Sequence, residues 1–150
     1  MSDSAKIDIE RKRLSCDFNN LFAANTIIRR LPIKILCAFV FPKYGVLYFH
    51  RKHKLCKLRN KKHGYIYYLL NYYLNHVDIG PNCDIGNQVK FPHPLAVVIG
   101  DTTVIKDNTT IMSCVTFGTN SAIGKEPAYP IVGENCYIGT GAKLIGAINI

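Results

Sequence analysis

The chain has 150 residues, of which 48% are hydrophobic and 19% charged, a composition that fits one globular domain and excludes a disordered chain. Its net charge of +9 is uneven, because residues 1–76 hold 15 Lys and Arg against 4 Asp and Glu, whereas residues 77–150 hold 4 against 6. The longest apolar run, Ile35 to Phe41, is far below the roughly 18–20 residues that span a bilayer.

Residues 1–76 are expected to form a basic, mainly helical region. Apolar clusters alternate with breaking residues, which favours several short helices over one long helix; the breaking residues are Pro32, Pro42, Gly45 and Gly64. The densest charge runs from Arg51 to Lys62, and a solvated helix face or loop is the favoured interpretation. The alternative is a dock for a membrane surface or a lipid-linked glycan, helped by neighbouring tyrosines. Nucleic acid is not expected, because no recognised binding motif accompanies the charge.

Residues 77–150 carry an internal repeat with a period of six. Apolar residues recur at this spacing in three runs: Ile79, Ile85 and Phe91; Ile99, Ile105, Ile111 and Phe117; Val132, Ile138, Leu144 and Ile150. Four residues after each of these anchors, a mostly small or β-branched residue is expected to point inward as well; the set is Cys83, Val89, Leu95, Thr103, Thr109, Val115, Cys136, Ala142 and Ile148. An amphipathic helix would need spacings of three and four, so the period indicates a short strand plus a tight turn.

Three such units make one triangular coil, and stacked coils share a core. The predicted coils are residues 79–96, 99–116 and 132–149, with Val97-Val98 as a two-residue insertion and Thr119 to Ile131 as a loop that leaves the coils. Glycine and asparagine are expected to permit the turns. The chain stops at the apolar anchor Ile150, from which we expect a truncated form or a natural short form with an incomplete donor site.

These motifs resemble the hexapeptide-repeat acyltransferases, within them the serine acetyltransferase-like branch. The resemblance covers about residues 76–150 and is carried by Val77-Asp78-Ile79-Gly80-Pro81, Phe91-Pro92-His93-Pro94, Val98 to Thr102 and Ile138 to Lys143. It implies an α+β fold, in which a short N-terminal helical region (1–76) precedes a left-handed parallel β-helix (77–150), and a homotrimer with active sites between subunits. It also implies acetyl-CoA as co-substrate, without a metal.

By the same resemblance, His93 is the general base and Asp78 its partner. A base must take the proton of an attacking hydroxyl, and a carboxylate on the other ring nitrogen fixes the imidazole tautomer. The position one coil beyond Asp78 is expected at Ala96, three residues past His93. The simpler alternative is that His93 is an exposed turn residue between two prolines. Acetyl-CoA is expected to contact four further residues: Gly118, Thr119, Gly139 and Ala142.

The acceptor is expected to be a hydroxyl group, and Tyr129 bears on which one. Serine-specific relatives carry a histidine before a proline in the loop, where this chain has Ala128-Tyr129-Pro130. A tyrosine hydroxyl brings no positive charge for a carboxylate, which favours a sugar hydroxyl of a bacterial surface polysaccharide. The alternatives are serine O-acetyltransferase of cysteine biosynthesis and a non-catalytic trimeric β-helix module. With no secretory leader near Arg11-Lys12-Arg13, we expect a cytoplasmic protein, with membrane-surface contact through the basic region as a further option.

Overall fold

The computed structural model describes residues 2–21, 31–120 and 127–150, with a helical half followed by a half of short strands. The helices are α1 (Asp3–Leu21), α2 (Leu31–Val40), α3 (Pro42–Leu58) and α4 (Tyr65–Asn75), with a 3₁₀ turn at Lys62–Gly64 before α4. The strands are β1 (Val77–Ile79), β2 (Asp84–Ile85), β3 (Val97–Ile99), β4 (Val104–Ile105), β5 (Thr110–Ile111), β6 (Thr116–Gly118), β7 (Ile131–Val132), β8 (Tyr137–Ile138) and β9 (Lys143–Ile145).

The helices pack around a small aromatic core of their own, formed by Phe18, Cys37, Ala38, Tyr44, Tyr48 and Phe49. Pro42 starts α3, where its missing N–H would have no helical partner in any case. Gly45 does not break a helix, since it lies in the first turns of α3. A Cβ atom there would come within 2.4 Å of the carbonyl oxygen of Ala38, so glycine lets α2 and α3 approach closely.

The strands form the three faces of a parallel β-helix. The first sheet has the order β1-β3-β6-β9, the second β2-β4-β7 and the third β5-β8, and every pairing is parallel. All the predicted anchors up to Leu144 are at most 6% exposed, whereas Ile150 is 52% exposed. The six-residue register is therefore confirmed from Ile79 to Leu144.

The second inward position holds in the middle of the repeat but not throughout. Thr103, Thr109 and Val115 are completely buried, whereas Leu95 is 57% and Ile148 39% exposed. The prediction was wrong for these two residues. Leu95 lies in a lengthened corner that leaves the regular wall, and Ile148 lies in the last described coil, which has a neighbouring coil on one side only.

The predicted insertion is displaced by a few residues. Asp78 pairs with Val98 and Val98 with Thr116, so the first of these two steps along the chain is longer than the second by two positions. Val97 is fully buried and Val97–Ile99 is the regular strand β3, so the two extra residues lie before it, in the Pro92–Ala96 segment. The residue one coil beyond Asp78 is therefore Val98 and not Ala96.

The corners turn mainly on residues other than the repeat glycines. One corner stacks His76, Ala96 and Cys114, all with positive φ, and another stacks Gln88, Asn108 and Asn135 in the same conformation. The repeat glycines instead allow close approach between coils. A Cβ atom on Gly80 would lie 2.3 Å from the Cα atom of Asp101 in the next coil. The prediction that these glycines make the turns was therefore wrong.

An ion cluster joins the helices to the first coil. It comprises Glu10, Arg13, Asp17, Arg51, Lys54 and Asp84. Arg51 is fully buried, and its guanidinium group donates to the carbonyl oxygens of Ile85 (2.5 Å) and Gly86 (2.6 Å) and to Asp17 (3.2 Å). The Arg51 to Lys62 run is therefore not one solvated face, because its first residue fixes α3 against the β-helix.

Candidate active site

His93 lies in the lengthened segment Pro92–Ala96, which we call the His93 corner. The segment is held at its C-terminal end, where the backbone N–H of Leu95 donates to the carbonyl oxygen of His93 (2.8 Å) and that of Ala96 to His76 (3.1 Å). The two extra residues thus form a protrusion between two buried residues, Phe91 and Val97. The His93 side chain is consequently exposed, as a residue that must meet a diffusing substrate has to be.

Asp78 lies on the outward face of β1, close to the start of the first sheet. Its side chain is half-buried, and its Oδ1 atom accepts a hydrogen bond of 3.1 Å from the hydroxyl group of Tyr68 in α4. Within the described residues, no hydrogen bond joins Asp78 to His93. The pairing of these two side chains therefore stays a prediction.

The outward row of the first sheet carries opposite charges at its two ends. Asp78, Val98, Thr116 and Lys143 are register partners from β1 to β9. The ammonium group of Lys143 donates to the hydroxyl oxygen of Thr116 (2.8 Å) and to the carbonyl oxygen of Cys114 (3.1 Å). An anionic ligand lying along this face would find its positive charge at the β9 end.

Tyr129 is held against the first sheet by a glycine. A Cβ atom on Gly100 would come within 2.2 Å of Cε1 and 2.4 Å of Cδ1 of the Tyr129 ring. The ring thus occupies the space that any larger residue at position 100 would need. Gly100 follows Ile99 at the end of β3, so Tyr129 lies at the corner where the first sheet ends.

The residues predicted to contact acetyl-CoA lie on two neighbouring segments. Gly118 ends β6 and pairs with Ile145 in β9, and Thr119 follows it, half-exposed. Gly139 and Ala142 bound the turn before β9, closed by the Ala142 N–H donating to the carbonyl oxygen of Gly139 (3.2 Å). Because β6 and β9 are adjacent strands, the structure places both segments at the β9 end of the first sheet. Ala142 also packs partly against the core.

Sequence reasoning did not identify Tyr68 or Gly100. Tyr68 is one of five tyrosines between positions 65 and 73, and nothing in that pattern distinguishes it from its neighbours. Gly100 was one of the repeat glycines, and its contact with Tyr129 joins β3 to the segment that precedes β7. Both roles depend on packing between segments that are not adjacent in the repeat pattern.

Metal-binding clusters and membrane-spanning helices are both absent from the described parts of the chain, 2–21, 31–120 and 127–150. There, no three His, Cys, Asp or Glu side chains converge in a way that could ligate a metal ion. None of the described helices combines the length and the hydropathy that crossing a membrane requires.

Known proteins resemble this chain in sequence. A serine acetyltransferase from Synechocystis sp. is 32% identical over 139 residues, which are 91% of this chain and 54% of that protein. A serine acetyltransferase from Staphylococcus epidermidis is 36% identical over 99 residues, 65% of this chain and 46% of that protein. This chain belongs to the serine acetyltransferase-like branch of the hexapeptide-repeat acetyltransferases. It spans about half the length of these curated relatives, and no protein-family model matches it.

Solved structures of serine acetyltransferases share the fold. The soybean enzyme complexed with serine has a TM-score of 0.72 at 24% identity, covering 95% of this chain and 57% of its own. The Brucella abortus enzyme in complex with coenzyme A has a TM-score of 0.69 at 24% identity, covering 93% of this chain and 55% of its own. The predicted order of a helical region and a left-handed parallel β-helix is thereby confirmed. The names of these proteins favour serine over a polysaccharide as acceptor.

Proposed function

We propose that this protein transfers the acetyl group of acetyl-CoA to a hydroxyl group of a small acceptor. The observation that carries the proposal is the His93 corner: an exposed imidazole on a two-residue protrusion, in a β-helix of the serine acetyltransferase-like branch. The structure of the Brucella abortus relative in complex with coenzyme A supports acetyl-CoA as the donor.

In the proposed reaction, His93 removes the proton of the acceptor hydroxyl as the oxygen attacks the thioester carbonyl carbon. The carbon–sulfur bond then breaks, and the proton passes from His93 to the departing sulfur, which leaves as the free thiol of coenzyme A. A carboxylate partner, a role that falls to Asp78, would hold the imidazole tautomer and stabilise the imidazolium that forms in between.

The proposed active unit is a homotrimer. Apolar residues stand on the outer faces of the strands, among them Val98 (39% exposed), Ile131 (43%) and Ile145 (42%). Contact between subunits would bury these side chains and exclude water from the His93 corner. Sedimentation equilibrium measures the state of association, and a monomer at working concentration would contradict the trimer.

L-serine is the acceptor that the relatives favour, and a sugar hydroxyl is the second candidate. The observation behind the second is Tyr129, which packs against Gly100 and brings a neutral hydroxyl where serine-specific relatives have a histidine. A site with polar groups arranged for an amino acid discriminates strongly against acceptors that leave those groups unpaired.

The test is release of free thiol from acetyl-CoA with L-serine, with sugars and nucleotide sugars, and with no acceptor. Turnover with L-serine alone would assign serine, and turnover with a sugar alone would assign the second candidate. Calorimetry with acetyl-CoA accompanies the assay, because a non-catalytic β-helix module would show neither binding nor turnover. That result would overturn the proposed function.

A further inference from the structure

Tyr68 connects the helical half of the molecule to the strand that carries Asp78. Helix α4 packs against β1, and the Tyr68 hydroxyl donates to the Oδ1 atom of Asp78 at 3.1 Å. The two residues lie on either side of the α4–β1 junction at His76. A side chain of the helical region thereby reaches the carboxylate assigned to the reaction.

The phenol ring of Tyr68 is held on both sides by other tyrosines. Its centroid lies 5.2 Å from that of Tyr65 and 6.3 Å from that of Tyr72, with interplanar angles of 24° and 30°. His53 of α3 adds an edge contact at 6.2 Å. A ring packed in this way has few alternative rotamers, so its hydroxyl group is a fixed donor rather than a mobile one.

The hydrogen bond restricts the orientation of the Asp78 carboxylate. A carboxylate has two acceptor oxygens, and Tyr68 occupies Oδ1 while Oδ2 stays available to a second donor. Burial, followed by the nearby charge of Asp78, raises the pKa of Tyr68 to about 12. The phenol therefore keeps its proton at neutral pH and remains a donor.

We propose that Tyr68 is a positioning residue for acetyl transfer, whose hydroxyl group orients the Asp78 carboxylate so that its second oxygen can accept from His93. The inference rests on the proposed function, because Asp78 and His93 matter here only as parts of that reaction. It assigns the helical half a direct part in the chemistry, through one hydroxyl group.

The test compares four proteins: the unaltered chain, Tyr68→Phe, Asp78→Asn and the double variant. Tyr68→Phe keeps the ring stack and removes only the donor, so kcat should fall about tenfold, the loss expected for one hydrogen bond to a charged group. The KM for acetyl-CoA should stay unchanged. In the Asp78→Asn background the same substitution should add little, because the carboxylate that Tyr68 orients is already gone.

Tyr72→Phe is the matched control. It removes a hydroxyl from the other end of the same ring stack, one that makes no hydrogen bond to Asp78. Its kcat should equal that of the unaltered protein. Circular dichroism melting curves of both Phe variants show whether the comparison is made between equally folded proteins, and rates are taken well below the lower transition.

The outcomes separate the two proposals. An active unaltered protein with an unchanged kcat in Tyr68→Phe would overturn the role of Tyr68 and leave the proposed function standing. Losses that multiply fully in the double variant would also overturn it, since Tyr68 would then act independently of Asp78. An unaltered protein that transfers acetyl to none of the acceptors would remove the proposed function, and the inference with it.

Discussion

His93 projects from a corner two residues longer than its counterpart in the next coil, and its side chain contributes little to the packed core. His93→Ala should therefore leave the melting temperature unchanged and lower turnover by roughly 100-fold or more, the usual contribution of a general base. Asp78→Asn should lower turnover by less, because it disturbs orientation without removing the base. Thiol release gives both values, and near-normal turnover in His93→Ala would refute the assignment.

Gly100 and Tyr129 provide a second test at the level of single residues. A methyl group at position 100 would overlap the Tyr129 ring, so Gly100→Ala should displace the ring and raise the KM of the acceptor. In the Tyr129→Ala background the same change should have almost no effect, because the space is empty. A double-mutant cycle on KM and on the unfolding free energy measures this coupling. Additive effects would show that the ring does not depend on Gly100.

Sequence alone could nominate His93 and Asp78, because both lie in short motifs whose spacing resembles a known family. It could not nominate Tyr68, Gly100 or Arg51. Their roles arise from a hydrogen bond, a ring contact and a buried ion pair between segments brought together only by folding. A local pattern holds no information about which of several tyrosines or arginines will face a distant partner.

Among the elements, the six-residue strand-and-turn unit can be tested by introducing charge. Ile105 in β4 is 1% exposed, so Ile105→Asp would bury a carboxylate without a partner and lower the unfolding free energy by several kcal/mol. Thr102 is exposed in the turn before β4, and Thr102→Asp should be nearly silent. Urea unfolding of the two variants is the measurement. Equal losses would contradict the register.

Leu95 extends this comparison to the corner where the sequence register fails. Since Leu95 is 57% exposed, Leu95→Asp should resemble Thr102→Asp and not Ile105→Asp in the same urea experiment. Periodicity could place the anchors because each must be apolar. It could not tell which residues of the longer first coil were extra, because Val97-Val98 and the His93 corner give the same residue count.

The ion cluster bears on the stability of the molecule as a whole. Arg51→Met would leave Asp17 and Glu10 buried without their main partner and the carbonyl oxygens of Ile85 and Gly86 without a donor. Removing one partner of a buried ion pair typically costs about 3–5 kcal/mol, and we expect a loss in that range from urea unfolding. Arg59→Met, at the exposed end of α3, is the control and should cost almost nothing.

The whole protein should also lose stability in mild acid. Burial, with the nearby charges of Arg51 and Lys54, lowers the pKa of His50 well below its ordinary value, so the folded chain keeps this imidazole neutral. Below about pH 6.5 the unfolded chain binds a proton at His50 that the folded chain does not. The unfolding free energy should therefore fall as the pH drops from about 6.5 to 5, by up to about 1.4 kcal/mol per unit.

His50→Gln isolates this contribution, because glutamine does not titrate. Its unfolding free energy should fall less steeply with pH than that of the unaltered protein, whereas His63→Gln, on an exposed residue, should leave the slope unchanged. Denaturation midpoints at several pH values between about 5 and 7.5 give the slopes. Identical slopes for His50→Gln and the unaltered chain would mean that His50 binds its proton equally in both states.

The length of chain between paired strands differs from coil to coil, yet the stack of buried anchors continues through all of them. It is shortest where Val98 pairs with Thr116 and longest where Val104 pairs with Ile131. Additions to the chain are thus accommodated at corners, where they do not disturb the pairing on either side. Such a scaffold lets new side chains be tried at its surface while the hydrophobic stack stays intact. The His93 corner shows how small such an addition is, and the same tolerance makes corner lengths the natural variable for redesigning the acceptor that a protein of this kind accepts.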